Sequence, residues 1–514
     1  MRAWVLAAVL LVPFLTGCIG SQGDEGLTET GLGGEVPRIP AAPEPFTFLV
    51  CQGDELVPLE GGHDAGCNHQ ANADGGPGAE VSLAANPTDP LNLVGGSKDF
   101  TLGEDARCGQ YNVWSGVYTS QDGGRTWAHD LLPGHPGDDR ETALSQYACG
   151  SDPVLAFAPN GTLYYSSIHV TQAEENEGPF PPQTAPVTGY PIENAGIAVT
   201  RSLDGGQTWE DPVVHGHKEA GEGIFDKQWI AVDPTTGQIY ISYIDTGEGA
   251  FFLQRSDDGG LTFTDPMRIF EPEDSAVLLS GPQFGQIAVD HAGTVHFTYW
   301  FTDDTGETAG IWHRASMDQG ETFSERHAVA PFYPVFDLEV THKYRIVPNP
   351  ALAVDPQDGT LYVAYPFYAD DGSGNVPSGN MDAYVVASHD GGTTWEAPVK
   401  VNDELAAPAN GQWMQAIQVG PDGTVHTTWM DYRDDPAGQE AYVYYAYSQD
   451  QGRTWSDNQR VSDVPFDGEG GYHQSGAGTI GDYMGLAVTE HAVHPFWADT
   501  RNGQNDVFAA IIPS

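Results

Sequence analysis

The chain has 514 residues, and its 72 acidic against 20 basic residues give a formal net charge of −52 at pH 7. Such a charge repels nucleic acid and anionic membrane surfaces, since both are bound through Lys and Arg side chains that meet phosphate. The composition therefore excludes a nucleic-acid-binding protein. The acidity fits a surface adapted to salty surroundings, and cation binding is a second interpretation, so calcium stays an open option and no cofactor is required.

The N-terminus predicts export. Met1 and Arg2 precede an apolar run over residues 3–15, which is too short for a membrane span of about 20 residues but has the form of a secretory signal peptide. The segment Leu15-Thr16-Gly17-Cys18 resembles a lipobox. We expect residues 1–18 to be a signal peptide with a lipobox, residues 19–45 to be a flexible tether, and lipidated Cys18 to anchor the chain to the outer face of the cell membrane. A simple cleaved signal is the alternative.

Four further cysteines, Cys51, Cys67, Cys108 and Cys149, suggest two disulfides in an exported protein. Three pairings are open, and proximity in the sequence favours Cys51–Cys67 with Cys108–Cys149. A zinc site is not expected, because the chain has no Cys-x-x-Cys pair.

One short segment, Ser-x-Asp-x-Gly-x-Thr followed by Trp or Phe, recurs along the chain. It occupies residues 120–127, 202–209, 256–263, 316–323, 388–395 and 448–455. The pattern predicts a tight turn in which the Asp carboxylate accepts hydrogen bonds from backbone N–H groups of the same turn. The structural aspartates would be Asp122, Asp204, Asp258, Asp318, Asp390 and Asp450.

A second unit, an apolar strand, a turn and an alternating strand, recurs seven times, as in residues 230–243. These observations predict an all-β, seven-bladed β-propeller of four-stranded antiparallel blades over residues 46–514, with the repeated turn joining the third strand to the fourth. The last blade lacks a fourth strand of its own, and the apolar residues 46–51 are expected to supply it and close the ring. A six-bladed propeller, which discounts the loose first unit at residues 81–95, is the alternative.

The repeated segments resemble the Asp boxes of the sialidase superfamily, over roughly residues 80–512. The resemblance implies a propeller and an exo-α-sialidase or related glycoside hydrolase. In that family three arginines hold the substrate carboxylate, a tyrosine paired with a glutamate is the nucleophile, and an aspartate is the acid/base. Fold alone does not give function, so a non-catalytic propeller that binds extracellular glycan or protein is the alternative, and so is a hydrolase that uses two carboxylates. We expect a monomer that meets the membrane only through its anchor.

The longest connections fall on the face opposite the repeated turns, where we expect the ligand. Candidate catalytic residues there are Asp226, Arg345, Arg433, Tyr483 and Arg501, and candidate substrate-binding residues are Trp229, Trp413, Asp431, Asp482 and Asp499. Two of the second strands end alike, in Trp429-x-Asp431-x-Arg433 and Trp497-x-Asp499-x-Arg501. The Asp/Arg pairs are either structural ion pairs between blades or part of a ring that holds an acidic or hydroxylated sugar.

Overall fold

The computed structural model describes residues 49–52, 55–58, 67–72, 76–102, 113–172, 192–269, 283–302, 309–331, 349–368, 381–404, 411–435, 437–468, 472–474 and 477–513. Residues 46–514 form one compact unit, and the other unit, residues 1–45, lies outside the described residues. Cys18 and the tether therefore stay predictions.

Seven four-stranded antiparallel sheets form a seven-bladed propeller. Before the ring come the hairpin strands β1 (Leu49–Gln52) and β2 (Glu55–Pro58), and then β3 (Cys67–Gln70). Blade 1 contains β4 (Gly78–Asn86), β5 (Asp89–Asp99), β6 (Trp114–Ser120) and β7 (Ala128–Leu131); blade 2 contains β8 (Cys149–Phe157), β9 (Leu163–Gln172), β10 (Ile192–Ser202) and β11 (Val213–Glu219); blade 3 contains β12 (Phe225–Val232), β13 (Ile239–Asp245), β14 (Ala250–Ser256) and β15 (Met267–Arg268).

The other blades follow in chain order. Blade 4 contains β16 (Gln283–Val289), β17 (Val295–Thr302), β18 (Ala309–Ser316) and β19 (His327–Pro331); blade 5 contains β20 (Ala351–Val354), β21 (Leu361–Tyr368), β22 (Met381–Ser388) and β23 (Val399–Lys400); blade 6 contains β24 (Gln412–Val419), β25 (Val425–Asp431), β26 (Tyr442–Ser448) and β27 (Gln459–Arg460). A hairpin, β28 (Tyr472–Gln474) and β29 (Ala477–Thr479), precedes blade 7, and a 3₁₀ turn, Ala143–Gln146, joins blades 1 and 2.

Blade 7 contains β30 (Gly485–Val488), β31 (Ala492–Asp499) and β32 (Asp506–Pro513), and its fourth strand is β3. The register joins Cys67 to Ile511 and Gln70 to Phe508. The ring is thus closed by an N-terminal strand, as predicted, but the prediction of residues 46–51 for that strand was wrong. Strand β1 (Leu49–Gln52), which overlaps that range, pairs with β2 instead.

The repeated segments form the turns between the third and fourth strands of blades 1 to 6, as predicted; we call these the repeat turns. In each, Oδ1 of the Asp accepts the backbone N–H of the Thr four residues later, and Oδ2 accepts the Thr hydroxyl. In blade 1 these distances, from Thr126 to Asp122, are 2.9 and 2.6 Å. The Ser120 hydroxyl donates to Asp122 and accepts the N–H of Gly124, whose φ of +87° favours glycine. The same set recurs in the other five turns.

Each repeat turn also touches the preceding blade. The Asn92 amide of blade 1 donates to Gly205 O in the turn of blade 2 over 3.0 Å, and the Arg201 guanidinium of blade 2 donates to Gly259 O in the turn of blade 3 over 2.9 Å. Arg255 of blade 3 does the same to Gln319 O in the turn of blade 4, over 2.8 Å. The repeat turns therefore lie side by side along one face, which we call the repeat-turn face.

Candidate functional site

The innermost strand of five blades contains the same irregularity near its start, on the face opposite the repeat turns. The pairing of the first and second strands shifts register between Ala79 and Ser82, Ser151 and Val154, Asp226 and Trp229, Gln283 and Gln286, and Trp413 and Ala416. At each shift one non-glycine residue takes a left-handed conformation, with φ between 47° and 53°: Glu80, Asp152, Lys227, Phe284 and Met414. Such backbone is costly and is often found at functional sites.

Three of these bulge residues belong to one cluster of charged side chains, with Asp482 of the seventh blade. Lys227 Nζ lies 2.6 Å from Asp482 Oδ2, 3.3 Å from Asp152 Oδ2 and 3.7 Å from Asp226 Oδ1. Glu80 Oε2 lies 3.8 Å from Lys98 Nζ and accepts the Ser151 hydroxyl over 3.5 Å. Glu80, Asp152 and Asp482 are buried, so the cluster joins blades 1, 2, 3 and 7 in a place with little water.

The electrostatics of this cluster shift the pKa values of two neighbouring carboxyl groups in opposite directions. Burial raises the pKa of Glu80 to about 8, and the charge of Asp152 adds to the increase. Burial also opposes ionisation of Asp152, but the Lys227 ammonium and a hydrogen bond from Glu80 outweigh it and hold the pKa of Asp152 well below its ordinary value. At neutral pH Glu80 therefore keeps a proton and Asp152 is ionised, which is the division expected of a proton donor and its partner.

A shallow depression opens beside the cluster. Its wall contains the aromatic rings of Trp229, Phe284 and Tyr483 together with Asp152 and Lys227, and the polar side chains Gln228, Gln286 and Asn349. Gln228 Oε1 and Asn349 Oδ1 are buried, and within the described residues neither accepts a hydrogen bond. Buried acceptors normally have partners, so these two atoms suit a ligand that brings hydroxyl or amide donors.

Four residues singled out in the sequence meet at this depression or at the cluster beside it. Trp229 and Tyr483 stand edge to face, with ring centroids 5.9 Å apart. Asp482 and Asp226 flank Lys227, and 23% of the Asp226 side chain is exposed. The Tyr483 hydroxyl donates to Pro153 O over 3.2 Å, and burial, with the charges of Asp152 and Glu80, raises its pKa well above the ordinary value. Tyr483 is thus a neutral phenol here, not an activated nucleophile.

Two of the three arginine candidates, Arg433 and Arg501, lie elsewhere on this face, each held by carboxylates. Arg433 donates to Asp431 over 2.7 and 2.9 Å and to Asp403 over 2.7 Å, and its guanidinium lies 4.2 Å from the Tyr444 ring centroid. Arg501 repeats this in blade 7: it donates to Asp499 over 2.8 Å and to Asp463, and lies 3.9 Å from the Phe508 ring centroid.

The contacts of both arginines favour the structural interpretation of the two Asp/Arg pairs. Asp403 and Asp463 belong to the connections that lead into blades 6 and 7, so each pair joins a blade to the connection before it. Asp431 and Asp499 are fully buried beneath their arginines.

The remaining candidates divide between the core and the undescribed chain. Trp413 is completely buried and stacks on Tyr432 at 6.2 Å between centroids, so it packs in the core. Arg345 and Cys108 lie outside the described residues, as do the side chains of Cys51 and Cys67. Cys149 is disulfide-bonded, and its pairing with Cys108 stays a prediction.

Sequence reasoning missed Glu80, Asp152 and Lys98. A signal for two of them was available: within the innermost strand, a carboxyl residue comes just before the apolar run in Glu80-Val81 and in Asp152-Pro153-Val154.

Within the described ranges, no group of three or more His, Cys, Asp or Glu residues is arranged to hold a metal ion. The same part of the chain contains no helix that is long and apolar enough to cross a membrane.

No protein-family model matches the sequence, and no curated protein matches it either. Solved structures similar to the chain include a protein of unknown function from Dyadobacter fermentans, with 15% identity, a TM-score of 0.44, and 71% of this chain and 94% of the other covered. A Hadza microbial sialidase shares 16% identity with a TM-score of 0.44 and coverages of 83% and 75%. The intramolecular trans-sialidase of Ruminococcus gnavus shares 13% identity with a TM-score of 0.43 and coverages of 77% and 96%. Likeness at this level carries no argument about the site.

Proposed function

We propose that this chain is a glycoside hydrolase that acts on extracellular glycans at the depression beside the charged cluster. The observation that supports this most is the combination, at one opening, of three aromatic rings, two buried acceptors that have no partner among the described residues, and Asp152 of the carboxyl pair. Aromatic rings cover the apolar faces of sugars, and buried acceptors take their hydroxyl protons.

The chemistry requires a proton and a negative charge. As the glycosidic C–O bond breaks, the leaving oxygen takes the proton that Glu80 and Asp152 share, and Asp152 is the member of that pair on the wall of the depression. The ionised carboxylates of the cluster stabilise the positive charge that develops on the sugar ring. Water then adds to the anomeric carbon and returns a proton to the pair, so the protein ends unchanged.

The sugar is expected to be neutral. Three carboxylates surround Lys227, whereas Arg433 and Arg501 are already bound to carboxylates and offer no clamp for an acidic sugar. Exo-α-sialidase activity is the narrower hypothesis from the repeated segments, and it would need arginines from outside the described residues, such as Arg345. Attachment to the cell surface through Cys18 is part of the same proposal.

The decisive experiment is a hydrolysis panel on the full chain, with aryl glycosides of neutral pyranoses and furanoses beside a fluorogenic sialoside, from pH 4 to pH 9. We expect turnover of a neutral glycoside that falls as pH rises through about 8, where Glu80 loses its proton. Glu80→Gln should lower kcat by about 100-fold or more, the range for loss of a general acid. Glu321→Gln, an exposed change on the repeat-turn face, is the matched control.

Three other outcomes would change the proposal. Turnover of the sialoside alone would favour the sialidase hypothesis. The substrate carboxylate would then be bound by arginines outside the described residues. Glycan binding without turnover would favour the non-catalytic alternative. Full activity in Glu80→Gln would show that the carboxyl pair is structural.

A further inference from the structure

Large apolar side chains are exposed unevenly over this protein. Among the described residues five are prominent: Leu91, Leu203, Leu261, Met317 and Val464, with Met317 89% and Leu203 62% exposed. Leu203, Leu261 and Met317 belong to the repeat turns of blades 2, 3 and 4. Leu91 lies beside the turn of blade 1, where its carbonyl accepts the Gly123 N–H over 2.9 Å. Four of the five thus stand on the repeat-turn face, in consecutive blades.

This arrangement is a property of particular residues, not of the turn itself. The position taken by Leu203 and Met317 is occupied by Gln121 in blade 1, His389 in blade 5 and Gln449 in blade 6. The hydrogen bonds of the turn are the same in all six blades, so the turn does not require an apolar residue there. Exposed apolar side chains gathered on one face make that face a candidate for contact with another apolar phase. We call Leu91, Leu203, Leu261 and Met317 the apolar arc.

The direction of the closing strand β3 shows that this strand begins at the repeat-turn face. Strand β32 runs toward the repeat-turn face, as the third strand of every blade does. Strand β3 is antiparallel to it, with Cys67 opposite Ile511, so β3 begins at the repeat-turn face. Strand β3, which is the first strand of the ring in chain order, therefore begins on the side that holds the apolar arc.

In place of the expectation that the chain meets the membrane only through its anchor, we propose that the repeat-turn face also rests on that membrane, with the apolar arc inserted among the lipids. The proposal depends on the predicted lipid at Cys18 and not on the hydrolase function. Apolar side chains that enter the lipid add to the attachment that a lipidated cysteine provides. The depression beside Lys227 would then open away from the membrane. Because the six repeat-turn carboxylates lie on the same face, the surface is expected to prefer zwitterionic to anionic lipid.

Met317 gives a direct measurement, since its thioether is exposed and is oxidised to the sulfoxide when a reagent reaches it. The full chain, anchored through Cys18 to phosphatidylcholine vesicles, is treated with the anionic oxidant chloramine-T, and Met317 sulfoxide is followed by mass spectrometry. The Cys18→Ser chain in vesicle-free buffer is the reference. We expect oxidation of Met317 to be about ten-fold slower in the anchored chain. If Cys18 proves to carry no lipid, coupling it to a maleimide phospholipid supplies the anchor, so the two questions are answered separately.

Two variants make the test specific. Val464→Met places a methionine at the one other prominent apolar position, in the connection between blades 6 and 7 on the opposite face, and its oxidation rate should be the same in both states. Leu203→Asn combined with Leu261→Asn should return Met317 of the anchored chain to the rate measured in buffer. Equal Met317 rates in the two states would overturn the proposal, as would protection of the methionine at position 464 or protection that persists in the double variant. Protection already present in buffer and lost on dilution would identify a second copy of the chain as the occupant instead.

Discussion

The two faces of this propeller are built on different physical rules. On the repeat-turn face, each turn is completed by hydrogen bonds within eight residues, so six copies have the same geometry. On the opposite face, Glu80, Asp152, Lys227 and Asp482 come from four blades and satisfy one another only when the ring is closed. A local motif can be repeated without change, whereas a site made of distant residues must be unique. The repeat turns thus maintain the frame, and the opposite face holds a cluster that is unique to this chain's arrangement of blades.

The largest effect is expected from removing the cation of the cluster. Lys227→Met leaves the buried carboxylates of Asp152 and Asp482 without their shared partner, and loss of one member of a buried ion pair costs about 3–5 kcal/mol. The free energy of unfolding, measured by denaturant titration, should fall by that amount. Arg453→Met is the control, because Arg453 is an exposed cation on the other face. A loss below about 1 kcal/mol would mean that the cluster is open to water.

The pH dependence of stability tests the same cluster. The pKa of Glu80 is raised from 4.5 to about 8 in the folded state. Between these values the folded chain holds a proton that the unfolded chain has released, so the free energy of unfolding should fall as pH rises, by at most about 1.4 kcal/mol per pH unit for one proton. Glu80→Gln removes this contribution. The measurement is the difference between the two chains' stability curves from pH 4.5 to 8, which cancels the titration of the buried histidines; identical curves would contradict the assignment.

A single repeat turn should matter less. Asp122→Ala removes the acceptor of the Arg125 and Thr126 N–H groups and of the Thr126 hydroxyl, and we expect a loss of about 1–2 kcal/mol, as for a helix N-cap. Asp122→Asn keeps one acceptor oxygen and should lose less. Because the turns are independent, combining Asp122→Ala with Asp450→Ala should give the sum of the two effects; a much larger loss would show that the turns act together.

The smallest effect is expected from the apolar arc. Leu203 is 62% exposed, and its replacement by Asn should change the free energy of unfolding by less than about 0.5 kcal/mol. Thermal unfolding in the absence of lipid measures this. A marked loss of stability would assign the side chain to the fold and weaken the membrane proposal.

Prediction from the sequence succeeded for the local motifs and was incomplete for the site made of distant residues. The six repeat turns and the seven blades were predicted correctly, since both depend on short, local patterns. The closing strand was assigned to the wrong segment because residues 46–51 are apolar, whereas β3 reads Cys-Asn-His-Gln. An outermost strand covers little of the core, so apolarity was the wrong criterion for finding it. Only part of the cluster was predicted, because Glu80 and Asp152 gain their meaning from neighbours that are distant in the sequence.

The closing strand also has a consequence for how the protein is made. The closing strand β3 pairs with β32, which lies far from it in the sequence, so β3 has no partner until the residues of β32 have been synthesised. Contacts of such high contact order form late and slowly, and unpaired strand edges are prone to associate with other chains in the meantime. During folding, the molecule must therefore pass through a stage in which an open ring is kept apart from its neighbours, and the high negative charge on every copy favours that separation.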